Sequence, residues 1–490
     1  MPEARPAAAL LADVAALHSA VRAEADATFA RWRPEVARRP FLASAHNLAA
    51  YLALRHRDLR PLQRELQAWG LSSLGRAESR VLPSLAAVEA ALRRIAGGPA
   101  RWPGARRMGR GERRLRDETS RLYGAEPGRR IRIMVTLPGD AHRDPARLRA
   151  LLAAGMDCAR LNCGHDDARA WRATAAAVRE ASAEAGRTCR VLVDLAGPKL
   201  RFDWVAHAGD EARIEPGSTL LLAPARADLA RWPLQAGCGE PGVLTALAPG
   251  AAVAIDDGSA RCTVVARTEA GVLLRVDAVK AGTKRLKPQQ GFNCPGTHLR
   301  LPAVTAQDLA DLDAIAPIAD LVGCSFVQSA ADIAALQAAL AARRPAGAPP
   351  LPIIAKIETQ PGVEALPEII LQAAGRHPLG VMIARGDLAV EVGWQRLAEL
   401  QEEILWVCEA AHVPVIWATQ VLESLVKDGI PSRAEITDAA MAERAECVML
   451  NKGPHVVEAV GILDDVLRRM EAHQEKKSPR LRALGLWRDP

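Results

Sequence analysis

Four ionisable side chains follow two short apolar runs of the sequence. Lys356 and Glu358 end the first run, and Arg385 and Asp387 end the second. An apolar run of about five residues bounded by polar residues is typical of a buried parallel strand. Open α/β sheets and (β/α)₈ barrels carry their chemistry at the carboxyl ends of such strands. Two carboxylates beside a lysine and an arginine suit Mg²⁺ with a phosphorylated or carboxylated ligand.

The alternative is that the four side chains pair with one another inside an α/β core. Burying four ionisable groups at two strand ends is costly without a ligand. We therefore favour a ligand site over a purely structural ion-pair network.

The two runs and five further motifs make the sequence resemble the pyruvate kinases. The resemblance covers residues 130–475, and the seven motifs occur in the order that the family has. The motifs are Arg160-Leu-Asn162, Gly197-Pro198, Gly291-Phe-Asn-Cys-Pro-Gly296, Ile353-Ile-Ala-Lys-Ile-Glu358, Val381-Met-Ile-Ala-Arg-Gly-Asp387, Trp417-Ala-Thr-Gln-Val-Leu-Glu-Ser424 and Pro431-Ser-Arg-Ala-Glu435. The resemblance implies phosphoryl transfer from phosphoenolpyruvate to ADP, giving pyruvate and ATP, with Mg²⁺ or Mn²⁺ as the cofactor.

The resemblance also implies a role for each matching residue. Glu358 and Asp387 would bind the metal, Lys356 would face the transferring phosphoryl group, and Arg160 would contact the phosphate. Thr419 would lie near the enolate face. The substrate is expected at Ser325 and at the backbone amides around Ala384, Arg385 and Gly386, and the nucleotide is expected at Arg201, Thr136 and His165.

The monovalent-cation site departs from the family pattern. Asn162 and Asp194 match two of its ligands, but Gly164 and Leu195 replace a serine and a threonine. Lys199 stands where K⁺-dependent members have glutamate. An ammonium group supplies positive charge locally, and the loss of oxygen ligands weakens a cation site. We expect that K⁺ is not required.

Two segments at the rim of the expected site also depart from the family. These are Thr136-Leu-Pro-Gly-Asp140 near the nucleotide and Leu450-Asn-Lys-Gly-Pro454 after the eighth strand. Binding of phosphoenolpyruvate or pyruvate therefore has more sequence support than a preference for ADP. Two alternatives remain, a metal-dependent lyase or aldolase acting on pyruvate enolate, and a regulatory protein whose barrel binds a metabolite.

Eight short apolar runs, most of them separated by helical patterns, predict a (β/α)₈ TIM barrel. The runs are Ile131–Thr136, Cys158–Asn162, Arg190–Asp194, Leu321–Phe326, Ile353–Glu358, Gly380–Arg385, Val413–Thr419 and Cys447–Leu450. Between 202 and 290 the pattern is β-like without a long helix, which predicts an inserted small β-barrel lid. A mobile lid at this place is typical of pyruvate kinases and would exclude water from phosphoryl transfer.

The remaining segments complete the expected organisation. Apolar residues at helical spacing predict a helical amino-terminal extension over 1–98. We expect a linker over 99–130, the barrel over 131–201 and 291–475, the lid over 202–290, and a carboxyl-terminal tail over 476–490. The usual carboxyl-terminal domain of the family is not expected, nor is regulation by sugar phosphates through it.

Composition narrows the class of protein. The net charge of +7 arises from residues 1–130, where 24 arginines and no lysine face 13 acidic residues. Solvated arginines on helix faces explain this excess better than nucleic-acid binding, because aromatic residues make up only 3% of the chain. No long apolar run predicts a membrane span, and no secretory signal is evident. Nine cysteines without a C-x-x-C pair predict reduced core thiols of a cytoplasmic protein. The resemblance to the pyruvate kinases implies a homo-oligomer that associates through the barrel.

Overall fold

A closed barrel of eight parallel strands forms the centre of the computed structural model, which describes residues 5–125, 128–299, 301–345 and 347–480. Each strand pairs with its neighbours in chain order, and the last pairs with the first. The strands are β1 (Arg132–Thr136), β2 (Cys158–Asn162), β3 (Arg190–Asp194), β4 (Leu321–Cys324), β5 (Ile353–Ile357), β6 (Leu379–Ala384), β7 (Val415–Ala418) and β8 (Cys447–Leu450). The predicted TIM barrel is confirmed.

Some strands are shorter than the apolar runs that predicted them. The run Val413–Thr419, for example, contains the strand Val415–Ala418. Pro414 lacks the N–H that a ladder requires, and Thr419 has a positive φ of 65°, which ends the extended conformation. The polar residues that close several runs therefore lie just beyond the strands, at the carboxyl-terminal mouth of the barrel.

Helices surround the barrel. They are Pro145–Ala154, Ala168–Glu184, Ala306–Ile315, Ala330–Ala341, Gln360–Glu364, Leu366–Ala374, Arg385–Val392, Trp394–Ala410, Glu423–Asp428, Arg433–Met441 and Val456–Glu471. Three of them begin with a capping box, in which Thr305, Ser329 or Ser432 exchanges hydrogen bonds with an acidic residue three positions later. These caps fix where the helices begin after polar loops.

A second sheet lies in the chain between β3 and the helix Ala306–Ile315. It has seven strands, in the order Phe292–Asn293, Ala252–Ile255, Ala260–Arg267, Val272–Val279, Thr219–Ala223, Leu234–Gly237 and Val205–His207. A two-stranded ladder joins Arg213–Ile214 to Lys284–Arg285, and one short helix, Pro241–Ala246, interrupts the strands. This unit has its own apolar core and is the additional sheet predicted as a lid.

The amino-terminal region is helical and is packed against the barrel. Its helices are Ala7–Trp32, Leu42–Arg55, Arg60–Ala68, Val81–Ile95, Ala105–Met108 and Arg110–Tyr123. Its buried apolar residues belong to the same core cluster as those of the barrel's outer layer. Within the described ranges, no helix has the length and apolar character needed to cross a membrane.

The interpretation of residues 99–130 as a linker needs correction. The helix Arg110–Tyr123 occupies much of this segment, and Leu122 and Tyr123 pack against the apolar side chains inside the barrel. Leu115, Thr119 and Leu122 lie on one face of the helix, and the many arginines lie on the other. The arginine content concealed an amphipathic helix that closes the amino-terminal end of the barrel.

The predicted tail, 476–490, begins inside a short hairpin of Gln474–Glu475 and Ser478–Pro479. Lys476 forms an ion pair with Glu446, and Lys477 forms one with Glu78. Residues 481–490 of that prediction lie outside the described residues.

Candidate active site

One polar cavity opens at the carboxyl-terminal mouth of the barrel, between the barrel and the inserted sheet. Predicted site residues that line it are Arg160, Asn162, His165, Lys199, Arg201, Ser325, Lys356, Glu358, Ala384, Asp387 and Thr419. Asp257 of the inserted unit also lines it. Strand ends that are far apart in the sequence thus converge on one site, as the barrel geometry requires.

Lys356 lies at the floor of this cavity. Its Nζ is 2.7 Å from Ser325 Oγ, 3.3 Å from Glu358 Oε1 and 3.3 Å from Asp194 Oδ2. Burial lowers the pKa of Lys356, but the two carboxylates outweigh burial, and the pKa lies above its ordinary value. The floor of the cavity therefore carries a buried, protonated ammonium group.

Glu358 is almost completely buried beside Lys356. Burial raises its pKa above the ordinary value, and the nearby charge of Asp387 adds to this, against the opposing effect of Lys356. The backbone N–H of Phe326 donates to Glu358 Oε2 at 2.5 Å. This carboxylate is held by a lysine and a backbone amide in a place where negative charge is costly, and perturbed carboxylates of this kind cluster at functional sites.

Arg160 and Asp194 form a buried ion pair next to Lys356. Asp194 Oδ2 accepts from Arg160 Nε at 2.9 Å and from Arg160 Nη2 at 2.6 Å. Burial raises the pKa of Asp194, but Lys356 and Arg160 outweigh it and hold the pKa below its ordinary value. Arg160 Nη1 also donates to Thr136 Oγ1 at 3.0 Å, so Thr136 supports the arginine from the end of β1.

The residues predicted at a monovalent-cation site are already engaged. Asp194 Oδ2 is shared by two cationic side chains, and Asn162 Oδ1 accepts from the backbone N–H of Gly164 at 3.1 Å. Asp194 Oδ1 is buried without a hydrogen-bond partner among the described residues. A Cβ on Gly323 would come within 2.1 Å of this oxygen, so only glycine fits there.

Asp387 is held from two sides. Lys199 Nζ lies 3.1 Å from Asp387 Oδ1 and 3.3 Å from Asp257 Oδ1, and Asn293 Nδ2 lies 3.3 Å from Asp387 Oδ1. Burial lowers the pKa of Lys199, but Asp387 and Asp257 outweigh it and raise the pKa above its ordinary value. The ammonium group thus links the barrel to the inserted sheet. Asn293 was not predicted, although it lies within a motif that was.

Glu358 and Asp387 together suit Mg²⁺ or Mn²⁺. Both carboxylates line the same cavity, and hard divalent cations prefer such oxygen ligands. In the described parts of the chain, no group of three or more His, Cys, Asp or Glu side chains is placed to hold a metal. Two protein carboxylates leave coordination positions for water and substrate oxygens, which is the usual arrangement for Mg²⁺ at phosphoryl-transfer sites.

Thr419 and Gly386 meet at the wall of the cavity. The backbone N–H of Gly386 donates to Thr419 Oγ1 at 2.8 Å. Gly386 lies in the first turn of the helix Arg385–Val392, whose amino-terminal N–H groups favour an anion. Asp387 follows Gly386 in the sequence. A substrate carboxylate bound at this helix turn would therefore lie next to a metal ion bound by Asp387.

Arg385 does not present its side chain to the cavity, contrary to the sequence interpretation. Its guanidinium group donates to the carbonyls of Ala418 and Thr419 and forms an ion pair with Asp438. Only its backbone remains near the predicted substrate position. Asp438 was not predicted, because it lies 53 residues further along the chain on a surface helix.

Basic side chains line the outer part of the cavity. Arg201 Nη1 donates to Gln289 O at 3.0 Å. Burial lowers the pKa of His165, and the charges of Lys452 and Arg201 lower it further. Arg201 and Lys452 thus create a positive field around a neutral imidazole, beside a second pocket that contains Thr136, Pro138 and Lys452.

Known proteins resemble this chain over the barrel and the inserted sheet. The sequence profile described as pyruvate kinase, barrel domain, matches residues 128–459. A pyruvate kinase from Methylorubrum extorquens is 35% identical over 70% of this chain and 69% of its own length. A pyruvate kinase from Geobacillus stearothermophilus is 32% identical over 71% and 58%, and the human pyruvate kinase PKLR is 33% identical over 72% and 62%. The chain thus spans 58 to 69% of these relatives.

A solved structure gives the same result. The crystal structure of a pyruvate kinase from Cryptosporidium parvum superposes with a TM-score of 0.62 at 26% sequence identity. It covers 73% of this chain and 70% of that chain.

Proposed function

The chain belongs to the pyruvate kinase family, and from that premise we propose that it transfers a phosphoryl group from phosphoenolpyruvate to ADP, giving pyruvate and ATP. Phosphoryl transfer requires positioning of the two substrates and neutralisation of the charge on the moving group. The residues at the mouth of the barrel supply both.

The observation that carries the proposal is the buried ammonium group of Lys356. Asp194 and Glu358 keep it charged, and Ser325 fixes its direction by a 2.7 Å contact. A preorganised cation at a dry site stabilises the negative charge that spreads over a transferring phosphoryl group. Arg160, held by Asp194 and Thr136, provides a second fixed cation for the phosphate oxygens.

Glu358 and Asp387 would hold Mg²⁺ or Mn²⁺, which supplies charge neutralisation to the phosphate and the enolate oxygen. Metal binding would also relieve the cost of the buried Glu358 carboxylate, whose pKa is raised by burial without it. The two carboxylates then serve as ligands and not as proton carriers.

The substrate carboxylate would lie at the first turn of the helix that begins at Arg385. The amino-terminal N–H groups of that turn attract an anion, and Gly386, whose own N–H donates to Thr419 Oγ1, has no side chain to block the approach. The Thr419 hydroxyl, which lies 2.8 Å from the Gly386 nitrogen, would stand at the enolate face and orient the substrate there.

ADP would place its phosphates along the outer cavity, near Arg201, His165 and Lys452. The positive field of the two cationic side chains, which also lowers the pKa of His165, attracts the diphosphate. The inserted sheet would close over the transfer and exclude water, with Lys199 bridging Asp257 to the barrel.

We propose further that K⁺ is not required. Lys199 supplies an ammonium group 3.1 Å from Asp387, and one oxygen of Asp194 is already shared by Arg160 and Lys356. The proposed site thus has its monovalent positive charge built into the chain.

The test is pyruvate production from phosphoenolpyruvate with a panel of nucleoside diphosphates, Mg²⁺ present and K⁺ replaced by tetramethylammonium. We expect turnover in the wild-type protein and a loss of about 10²–10³-fold or more in kcat for Lys356→Met, because the variant removes a preorganised cation from the site of charge development. Lyase and aldolase products from pyruvate are assayed in parallel.

The matched control is Lys427→Met, which removes a surface lysine paired with Glu423 and should leave kcat within about twofold, as surface changes usually do. Wild-type protein that binds Mg²⁺ but forms no pyruvate with any diphosphate would contradict the proposed reaction. So would a Lys356→Met variant as active as the control.

The proposed compartment is the cytoplasm. All nine cysteines are buried and free, as in proteins of a reducing compartment. Association through the barrel stays a prediction, for which sedimentation velocity is the measurement. The relatives named above are all called pyruvate kinases, which favours the kinase reaction over the lyase and regulatory alternatives.

A further inference from the structure

The turn after β7 has an unusual backbone. Thr419, Gln420 and Leu422 all have positive φ, at 65°, 58° and 48°. A β-branched residue such as threonine rarely takes this conformation, because it is sterically strained. Such strain persists only where the surrounding structure enforces it.

Arg385 contacts the backbone of this turn directly. Its Nε donates to Ala418 O at 2.9 Å, and its Nη2 donates to Thr419 O at 2.7 Å. The guanidinium group therefore binds the carbonyls of both peptide groups that flank Thr419, and these two peptide groups set its orientation.

Asp438 fixes the guanidinium group in turn. It accepts from Nη1 and, at 2.8 Å, from Nη2 of Arg385, and it accepts from Trp417 Nε1 at 3.2 Å. The indole ring of Trp417 lies 4.5 Å from the guanidinium carbon. Asp438 thus binds both the Arg385 guanidinium group and the Trp417 indole ring on which that group stacks. Because the contact between the carboxylate and the guanidinium group is bidentate, it holds Arg385 in one orientation.

We propose that Asp438 is a positioning residue of the active site, acting through Arg385 to hold the Thr419 hydroxyl against the Gly386 amide. Asp438 lies on the helix Arg433–Met441, outside the cavity. Among the described residues its side-chain hydrogen bonds and ion pair go to Arg385 and Trp417, and none goes to a residue assigned to the metal or the phosphate. Its effect on catalysis runs through the conformation of Thr419. The inference rests on the proposed function for its kinetic test and has an independent binding test.

The kinetic test is a double-mutant cycle between Asp438→Asn and Thr419→Ala. Asparagine keeps the size of the side chain but loses the charge and one acceptor, so Arg385 is released and Thr419 relaxes. We expect kcat to fall by about tenfold to a hundredfold, because a small displacement of a positioning group costs a loss of this size. The KM for ADP should not change. In the Thr419→Ala background, the same change should alter kcat by less than about twofold, because the hydroxyl is already absent.

Two further variants separate positioning from general stability. Arg385→Lys keeps the charge but lacks the fork, and it should show the same dependence on Thr419. Asp465→Asn, which breaks an exposed pair with Arg469, is the matched control and should leave kcat unchanged. Equal losses of kcat from Asp438→Asn in both Thr419 backgrounds would overturn the inference, as would no loss in either.

The binding test uses oxalate, a planar dianion that resembles the enolate, with Mg²⁺ in a calorimeter. Asp438→Asn should weaken oxalate binding about tenfold in the Thr419 background and leave it unchanged in the Thr419→Ala background. If the wild-type protein makes no pyruvate, the proposed function fails while this measurement still decides the role of Asp438. Identical oxalate affinities for wild type and Asp438→Asn would overturn the inference.

Discussion

Lys199 links the barrel to the inserted sheet at the candidate site, and its ammonium group is the basis of the proposal that K⁺ is not required. The ammonium group lies between Asp387 and Asp257, and both carboxylates raise the pKa of Lys199 above its ordinary value against the effect of burial. Because the charge is covalently attached, its position does not depend on the salt in the solution. Its removal would leave two carboxylates facing each other.

Lys199→Glu should therefore create a requirement for a monovalent cation. We expect activity in tetramethylammonium to fall by about tenfold or more, and addition of K⁺ to restore part of it, since a third carboxylate offers the oxygen ligands that the site lacks. The measurement is kcat/KM for phosphoenolpyruvate against K⁺ concentration.

The control for that experiment is Lys199→Met, which removes the ammonium group without adding a ligand. It should lose activity that K⁺ does not restore. Equal recovery of the two variants with K⁺ would show that the ligand at position 199 is irrelevant.

Some site residues could be placed from the sequence and others could not. Lys356, Glu358 and Asp387 follow apolar runs, so the barrel geometry alone brings them to one mouth. The sequence also grouped the Arg385 side chain with these three residues. The side chain instead pairs with Asp438, which lies on a helix that the local sequence does not connect to it. Hydrogen bonds between distant segments leave no periodic signal.

At the scale of elements, the helix Arg110–Tyr123 closes the amino-terminal end of the barrel. Leu122 is 1% exposed, and with Tyr123 it packs on the barrel-interior side chains Met134, Leu192 and Ile354. Barrel interiors are filled by layers of apolar side chains from alternate strands. Here a helix from outside the barrel supplies one more contact to that interior.

Leu122→Ala should destabilise the protein by about 2–5 kcal/mol, because it removes a fully buried side chain from a close-packed interior. The measurement is the midpoint of urea unfolding, with the site monitored by Mg²⁺-dependent oxalate binding. Binding by the folded variant should be preserved, since the cavity lies at the opposite end of the barrel.

Arg121→Ala is the neighbouring control. The Arg121 side chain is half exposed and forms only a long contact with Glu118, so its loss should change the unfolding free energy by less than about 0.5 kcal/mol. If the two variants were equally stable, the helix would not be part of the barrel's core.

The elements differ in how well the sequence predicts them. The eight strands correspond to short apolar runs, and they were predicted to within a few residues. The helix Arg110–Tyr123 was missed because its seven-residue spacing of Leu115 and Leu122 is hidden among arginines. Composition alone suggested a linker, whereas the spacing of the apolar residues indicated a helix.

At the scale of the whole molecule, His412 joins the amino-terminal helices to the barrel. It is 2% exposed, and its ring nitrogens lie 2.8 Å from Ser44 Oγ and 2.9 Å from Ser79 O. Gly111 allows this approach, because a Cβ there would lie 2.7 Å from the imidazole Nε2. Burial lowers the pKa of His412 to about 4.

This pKa predicts a loss of stability in weak acid. The unfolded chain takes up a proton at His412 below a pH of about 6.5, whereas the folded chain does so only near pH 4. Between these pH values, protonation of His412 therefore lowers the free energy of the unfolded state relative to the folded state. His412→Gln keeps both hydrogen-bonding ends but does not titrate. Between pH 7 and pH 4.5, the variant should lose less stability than the wild type by about 2–3 kcal/mol in urea unfolding.

His56→Gln provides the comparison for that pH series, because the His56 side chain is 68% exposed and lies on the amino-terminal helices alone. Between pH 7 and pH 4.5, its loss of unfolding free energy should match that of the wild type to within about 0.5 kcal/mol, because exposed pairs contribute little to stability. A His412→Gln variant with the same pH slope as the wild type would show that the buried imidazole does not couple folding to pH.

The single core shared by the amino-terminal helices and the barrel has a consequence for synthesis on the ribosome. Asn47 donates to Ala410 O, 363 residues later in the chain, and Glu78 accepts from Lys477, 399 residues later. At roughly 5–20 residues per second, the apolar faces that emerge first stay uncovered for on the order of tens of seconds. The nascent amino-terminal segment should therefore be a client of ribosome-associated chaperones.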